Sequence, residues 1–415
     1  MNRADILSKI NDPKELEKLY QGNKMAFKKE FNLLYPELTD NRLAEYWNER
    51  LNYESFEISW GGKNELIFVI IASLLAGIIA KLPVLLNVNP ELFYQRNAGL
   101  IIFPVLTAYF IWKKSLSTNK IVFAGVAFLI AAIFINLLPA DNKSDTLILS
   151  CIHLPIFLWA VLGFSYVGDN IKSYHNRIDF LRYNGDLIIM TGLLAIAAGI
   201  LTAITIGLFE LIGFNIKDFY FDNIVVFALP AIPILATYIT QTNPQLVNRV
   251  SPVIAKIFSP LVLITLFVYL IAIFVSGKNP YNDREFLMVF NFLLIGVMAI
   301  ILFSVAEIFK KNENRTGSFI LFALSIVTVI VNGIALSAIL FRISEWGITP
   351  NRLAVLGANI LMLTNLLIIT FKLFKNISKK TDISEVENSI AMFLPIYILW
   401  VMIVTFIFPL IFHFK

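Results

Sequence analysis

The chain has 415 residues, 58% of them hydrophobic and 15% charged, and carries a formal charge of +5 at neutral pH. A soluble domain holds roughly 25% charged residues, so a water-soluble globule is excluded and the length is best counted in membrane spans. Lys and Arg are scattered between apolar runs instead of gathered on one soluble face, which excludes a nucleic-acid partner.

Taken in chain order, residues 1–60 are the one stretch that reads as soluble. Met1 to Asp12 is polar and lacks the basic and apolar regions of a cleaved signal peptide. Asp12-Pro13 supplies a capping side chain and a proline for the first turn of a helix. Leu16, Leu19 and Tyr20 then recur at helical spacing, as do Phe27, Phe31 and Leu34, and, after Thr39-Asp40, Leu43, Tyr46, Trp47 and Leu51. Three short amphipathic helices are expected. About fifty residues bury only a marginal core, so this cytoplasmic segment is expected to lean on the membrane domain, residues 61–415, or on a cytoplasmic protein partner. Trp60, beside Gly61-Gly62, is the expected interface anchor before the first span.

Eleven apolar runs follow, at 66–86, 98–112, 121–138, 146–167, 187–213, 224–239, 253–275, 286–308, 318–341, 353–374 and 389–414. Most reach the ~17 to 25 residues that cross a bilayer core. The second and sixth are shorter and contain Pro104 and Pro230 with Pro233, which suggests helices that are tilted, partly extended by polar ends, or broken, the sixth lining an interior cavity. With the N-terminus inside and the C-terminus outside, the internal connections hold roughly twice as many Lys and Arg as the external ones. The expected fold is therefore an all-α polytopic protein with about eleven transmembrane helices in the lipid bilayer, its N-terminus cytoplasmic.

Small residues repeat every four positions in span five (Ala195, Gly199, Ala203, Gly207) and span one (Ala72, Ala76, Ala80). Such stripes let helix backbones approach closely, and they suggest that these two helices pack or slide on one another. Lys81, Glu210, Lys256 and Glu307 lie near predicted helix ends, where long side chains snorkel to the interface. His153, Asn332 and Asn365 lie deeper and are candidate ligand-binding positions, because polar groups inside a span are costly. His153 has the chemistry of a proton relay; Asn332 and Asn365 are expected to bond each other across adjacent helices.

No phosphate loop, nucleophile elbow or HExxH motif is present, and His153, His175 and His413 are too scattered for a metal site. The single cysteine, Cys151, sits in an apolar run and reads as a small buried hydrophobe, so neither a disulfide nor a CxxC metal site can form. No catalytic residue, metal or cofactor is expected. Asn87 to Asn97 offers only Glu91 as an acid, which disfavours a membrane glycosyltransferase. Leu154-Pro155-Ile156-Phe157 resembles Leu394-Pro395-Ile396-Tyr397, a match that either an inverted repeat of the kind many carriers have or chance in so apolar a sequence produces, and spans two and six do not correspond under that mapping.

The most distinctive external element runs from Arg342 through Glu345, Trp346 and Gly347 to Thr349, Pro350 and Arg352. Thr349 and Pro350 suit the cap and first position of a helix, and Arg342, Glu345 and Arg352 around that helix start are candidate ligand-binding residues for an anion. The alternative is a rigid turn held by an Arg–Glu pair and anchored by Trp346. This stretch, RISEWGITPNR, running into Leu353-Ala354-Val355-Leu356, together with the many-span layout, resembles a bacterial membrane family catalogued as domain of unknown function 4153. The resemblance covers residues 60–415. It implies a polytopic inner-membrane protein and supplies no catalytic residues. The sequence favours a transporter-like or permease-like role over two rivals: a sensor or scaffold recruiting a partner through residues 1–60, and an enzyme acting on a lipid-linked substrate. It fixes neither substrate nor oligomeric state.

Overall fold

The structure, a computed structural model, describes residues 3–22, 24–38, 40–52, 61–139, 141, 143–169, 171–211, 214–276, 281, 284–308, 315–378 and 382–414. Trp60 lies outside the described residues. The described residues form helices and no strand, and the chain divides into two compact units, Met1–Ile58 and Ser59–Lys415.

The first unit has four helices where the sequence suggests three: α1 (Arg3–Leu7), α2 (Pro13–Gly22), α3 (Lys24–Leu34) and α4 (Arg42–Asn52). The Asp12 carboxylate accepts the backbone N–H groups of Lys14 and Glu15 at 3.0 and 3.2 Å and so starts α2. Asn41, rather than Asp40, does the same for α4 through Leu43 and Ala44. The apolar faces converge on a core of Ile6, Leu16, Phe27, Phe31, Leu34, Ala44, Trp47 and Leu51. Tyr46 points outward, at 58% exposure, because its neighbour Trp47 takes the inward position of that turn. Arg50 closes the edge, lying over the rings of Trp47 and Tyr20 and pairing with Glu17 at 2.8 Å. On the surface, hydrogen bonds from Lys18 and Lys9 hold the Glu15 carboxyl below the usual carboxylate range.

The second unit begins with α5 (Lys63–Leu86), α6 (Pro90–Lys114), α7 (Thr118–Leu137), α8 (Asp145–Val167) and α9 (Tyr174–Leu211). Next come α10 (Lys217–Tyr220), a π-turn and α11 (Val226–Thr242), then α12 (Pro244–Ser276), α13 (Arg284–Ile308), α14 (Arg315–Trp346) and α15 (Pro350–Ile377). The last are α16 (Ser384–Met402), a second π-turn and α17 (Phe408–Ile411). Among the described residues, nine helices are long and apolar enough to cross a membrane, which makes the chain an integral membrane protein. The other two predicted runs, 98–112 and 253–275, coincide with α6, which carries Arg96 and Asn97 in its first turns, and α12 (Pro244–Ser276).

The short runs are not broken helices. Run 98–112 lies in a helix of 25 residues, and run 224–239 lies in the 26 residues of Lys217–Thr242, which continue through Pro230 and Pro233. Neighbouring helices instead supply what a proline removes. Pro395 cannot bond the carbonyl of Ala391, and Arg177 donates to that oxygen at 3.0 Å; Pro409 leaves the carbonyl of Thr405, which takes the Ser150 hydroxyl at 2.8 Å.

The two small-residue stripes do not meet. Ala72, Ala76 and Ala80 are buried, and α5 packs on α11 so closely that a Cβ on Gly77 would lie 2.2 Å from the Phe227 ring. On α9, Ala195, Gly199 and Ala203 are exposed, and no side chain approaches Gly192, Gly199 or Gly207. That helix has 38 residues and begins well before the predicted run. Its charged first turns are helical because they are paired inside the unit.

Candidate functional site

The polar groups of the membrane unit fall into two kinds. The first kind is bonded to protein throughout. At one end of α6, Lys113 donates to Glu65 at 2.8 Å and Tyr109 donates to the same carboxylate oxygen at 2.5 Å. Arg182, at 12% side-chain exposure, joins three helices: it donates to Asp179 on its own helix and Glu387 on α16 at 2.8 Å each, and to the Ala306 carbonyl on α13 at 2.6 Å.

Basic side chains also close helix C-termini, where unpaired carbonyls concentrate partial negative charge. Arg96, assigned from the sequence to an outer loop, is buried in α6 and donates to the carbonyls of Asn136 and Pro139 at the end of α7, at 3.2 and 3.1 Å. Lys114 and Lys120 donate to the carbonyls of Tyr166 and Gly168 at the end of α8. The Arg342 to Arg352 turn follows the same rule. Thr349 caps α15 by accepting the Arg352 N–H at 3.3 Å, as the sequence suggests. The Arg352 guanidinium donates to the carbonyls of Trp346 and Gly347 at 2.8 and 2.7 Å, closing the end of α14. Arg342 and Arg352 both stack on the Trp346 ring, 5.1 and 5.7 Å from its centroid, and Glu345 is exposed. Gly347 takes φ +76°, a left-handed value that a glycine accepts at a helix end. Backbone carbonyls and an indole face hold this turn, so Arg352 is accounted for without an anion.

Of the positions expected near helix ends, Lys81 bonds Asn223 at 2.5 Å, and Glu210 and Lys256 are exposed. Glu307 is buried, at 2% exposure, instead of snorkelling. The His153 ring bonds the carbonyl of Leu149 one turn back at 2.8 Å, the pattern of a residue tied to its own helix.

The second kind is a seam of amides in the bundle α13 to α16. Asn332 and Asn365 are fully buried, each within about two residues of the middle of its spanning helix. Against expectation they do not bond each other. The Asn365 amide nitrogen donates to the Tyr397 hydroxyl on α16 at 3.0 Å, and that hydroxyl faces the Leu361 carbonyl at 3.5 Å. One turn and a half away, Asn359, also fully buried, donates to the Asn291 oxygen on α13 at 2.8 Å. Ser318 and Asn376 bond at 3.1 Å and fix the register of the antiparallel pair α14 and α15. That register sets Asn332 level with Met362, so Asn359 and Asn365 lie about 4.5 Å of helix rise to either side of it.

Among the described residues, both amide atoms of Asn332 and the amide oxygens of Asn359 and Asn365 are buried with no hydrogen-bond partner. Each such group costs about 1–3 kcal/mol when left unpaired in a protein interior, and a bilayer offers no solvent to relieve it. Elsewhere in the membrane unit the orphaned atoms include single hydroxyls, such as those of Thr107 and Ser165, and Arg96 Nε, whose guanidinium is already bonded twice. Asn359 and Asn291 are the residues that sequence reasoning missed. Both are polar positions inside apolar runs, so the same rule that selects Asn332 applies to them. Among the described residues no group of acids, histidines and cysteines could hold a metal.

No protein-family model, no curated protein and no solved structure matches this chain.

Proposed function

We propose that this protein is a membrane carrier of the permease type that takes a polar passenger at mid-membrane depth, in the amide seam of α13 to α16. The observation that supports this reading is Asn332: a fully buried amide, near the middle of a spanning helix, with neither end bonded by the protein. A group whose hydrogen bonds are left open in hydrocarbon is best explained by something that comes and goes. The seam is closed to solvent in this conformation, so access requires the bundle to open, toward one side and then the other. In this reading the chain has eleven spans in a bacterial inner membrane, with the N-terminal unit cytoplasmic and the C-terminus external. Kinship with the domain of unknown function 4153 family belongs to the same proposal and is carried by Arg342 to Arg352.

A second reading, a scaffold that recruits a cytoplasmic protein, draws on the first unit, whose own aromatic core leaves Tyr46 exposed beside Pro13, Leu43 and Arg50. One experiment separates the two. Cysteine is placed at Asn332 in a Cys151→Ser background, and a membrane-impermeant thiol reagent is added to right-side-out and to inverted vesicles. A carrier exposes the site to both sides in turn, so both preparations are labelled. Protection in both, while a cysteine at Lys143 reacts, leaves the scaffold.

A further inference from the structure

We infer that the passenger is a small neutral solute rich in hydrogen-bond donors, a hydroxyl or carboxamide compound of about the size of urea or glycerol; this deepens the carrier reading and rests on it. Two independent observations point there. The first is the balance of open valences. The nitrogens of Asn359 and Asn365 each bond a partner, Asn291 and Tyr397, whereas both amide atoms of Asn332 and the amide oxygens of Asn359 and Asn365 have none among the described residues. The Asn365 nitrogen donates to the Tyr397 hydroxyl at 3.0 Å, and its oxygen is buried without a partner. Three amide oxygens without a partner are complemented by N–H or O–H groups.

The second observation is charge. No Asp, Glu, Lys or Arg occurs between Glu285 and Glu307 on α13, between Arg315 and Arg342 on α14, between Arg352 and Lys372 on α15, or after Glu387 on α16 and α17. A full charge at the level of Asn332 would have no counter-charge at that depth on any of the helices that line the seam, and an uncompensated buried ion is strongly unfavourable. A neutral solute avoids that cost while satisfying the amides. Sites that hydrogen-bond a substrate group reject analogues lacking it, because their own polar groups are then left open.

The test uses the purified full chain in liposomes. Stopped-flow light scattering follows the entry of glycerol and of urea, and an ion-sensitive dye follows potassium and chloride in the same vesicles. Either neutral probe should enter at least about tenfold faster than into protein-free vesicles, with ion flux unchanged; a rate ratio of that size corresponds to about 1.4 kcal/mol. Asn332→Leu and Asn359→Leu should each remove most of the gain, and Asn332→Ser, which keeps a bonding group, should retain part of it. Ion flux that Asn332→Leu abolishes, without acceleration of glycerol or urea, overturns the neutral class and leaves the carrier standing. Neutral flux indifferent to both leucine variants overturns the site. If no probe moves although the protein is folded and a cysteine at position 332 is labelled from both sides, the neutral small-solute assignment falls alone; if that labelling also fails, the carrier falls with it.

Discussion

Two regions of the membrane unit handle polar groups in opposite ways. Between α5 and α6, and where α9 meets α13 and α16, charged side chains are bonded: Lys113 to Glu65, Arg182 to Asp179, Glu387 and a carbonyl, Arg177 to a carbonyl that Pro395 leaves open. In the seam of α13 to α16 the polar groups are neutral amides, and four of their atoms are left open. The difference separates structure from function. A buried charge that completes its bonds to protein ties helices together, and one of its partners removed leaves an uncompensated group. A buried amide left open does nothing for the fold, so its presence asks for a ligand.

This contrast can be broken by substitution, starting with the bonded region. Arg182→Ala leaves the Glu387 carboxylate and one helix-end carbonyl without their partner and should cost about 3 kcal/mol, read as a large fall in the melting temperature of the detergent-solubilised protein. An unchanged melting temperature would mean that the network is not structural. Close packing beside the seam gives the next effect. A Cβ on Gly357 would lie 2.0 Å from the Trp400 ring, so Gly357→Val should cost about 1–3 kcal/mol through overpacking; a stable valine variant would show that α15 and α16 stand further apart. Asn332→Leu should go the other way, since replacing an unpaired polar group by an apolar one of similar volume is nearly neutral or stabilising. A loss of stability as large as that of Arg182→Ala would mean that the amide is bonded after all.

The smallest effect belongs to the exposed surface of the first unit. The Glu15 carboxyl titrates below its ordinary range because Lys18 and Lys9 bond the charged form. Its contribution is therefore present above the unfolded pKa and is lost as pH falls through the folded value. Glu15→Gln should lower the melting temperature slightly at neutral pH and not at all once the carboxylate is protonated. A difference that persists in acid would assign the effect to packing.

Much of this organisation can be read from residue order, and the parts that cannot share one cause. Apolar runs locate the spanning helices because hydrocarbon demands length and low polarity, whatever the neighbours. Asp12 and Thr349 announce their helices because a cap acts within three residues. Asn332 stands out by depth alone. What depth cannot give is the partner: Asn365 bonds Tyr397 on α16, 32 residues away in sequence, instead of Asn332. Charge near a helix end is equally ambiguous. Arg96 and Arg182 look like loop cations until the carbonyls of Asn136 and Ala306 are brought to them by packing. The length of α9 is hidden for the same reason, since its charged first turns read as a connection until Arg182 meets Glu387. The prolines of α11 read as breaks because a sequence shows the hydrogen bond a proline removes and not that the helix runs on through it.

The contrast between the two regions reduces to a comparison of two buried positions. Ser150, fully buried, donates to the Thr405 carbonyl, whereas the Asn332 amide, equally buried, has no hydrogen-bond partner among the described residues. Single cysteines at each, in the Cys151→Ser background, are exposed to a small water-soluble thiol reagent in native membranes and the reaction rates compared. If the seam opens to admit a passenger, position 332 should react at least about tenfold faster than position 150, the equivalent of about 1.4 kcal/mol in access. Equal protection of both would contradict a functional seam and make Asn332 a packing residue like any other.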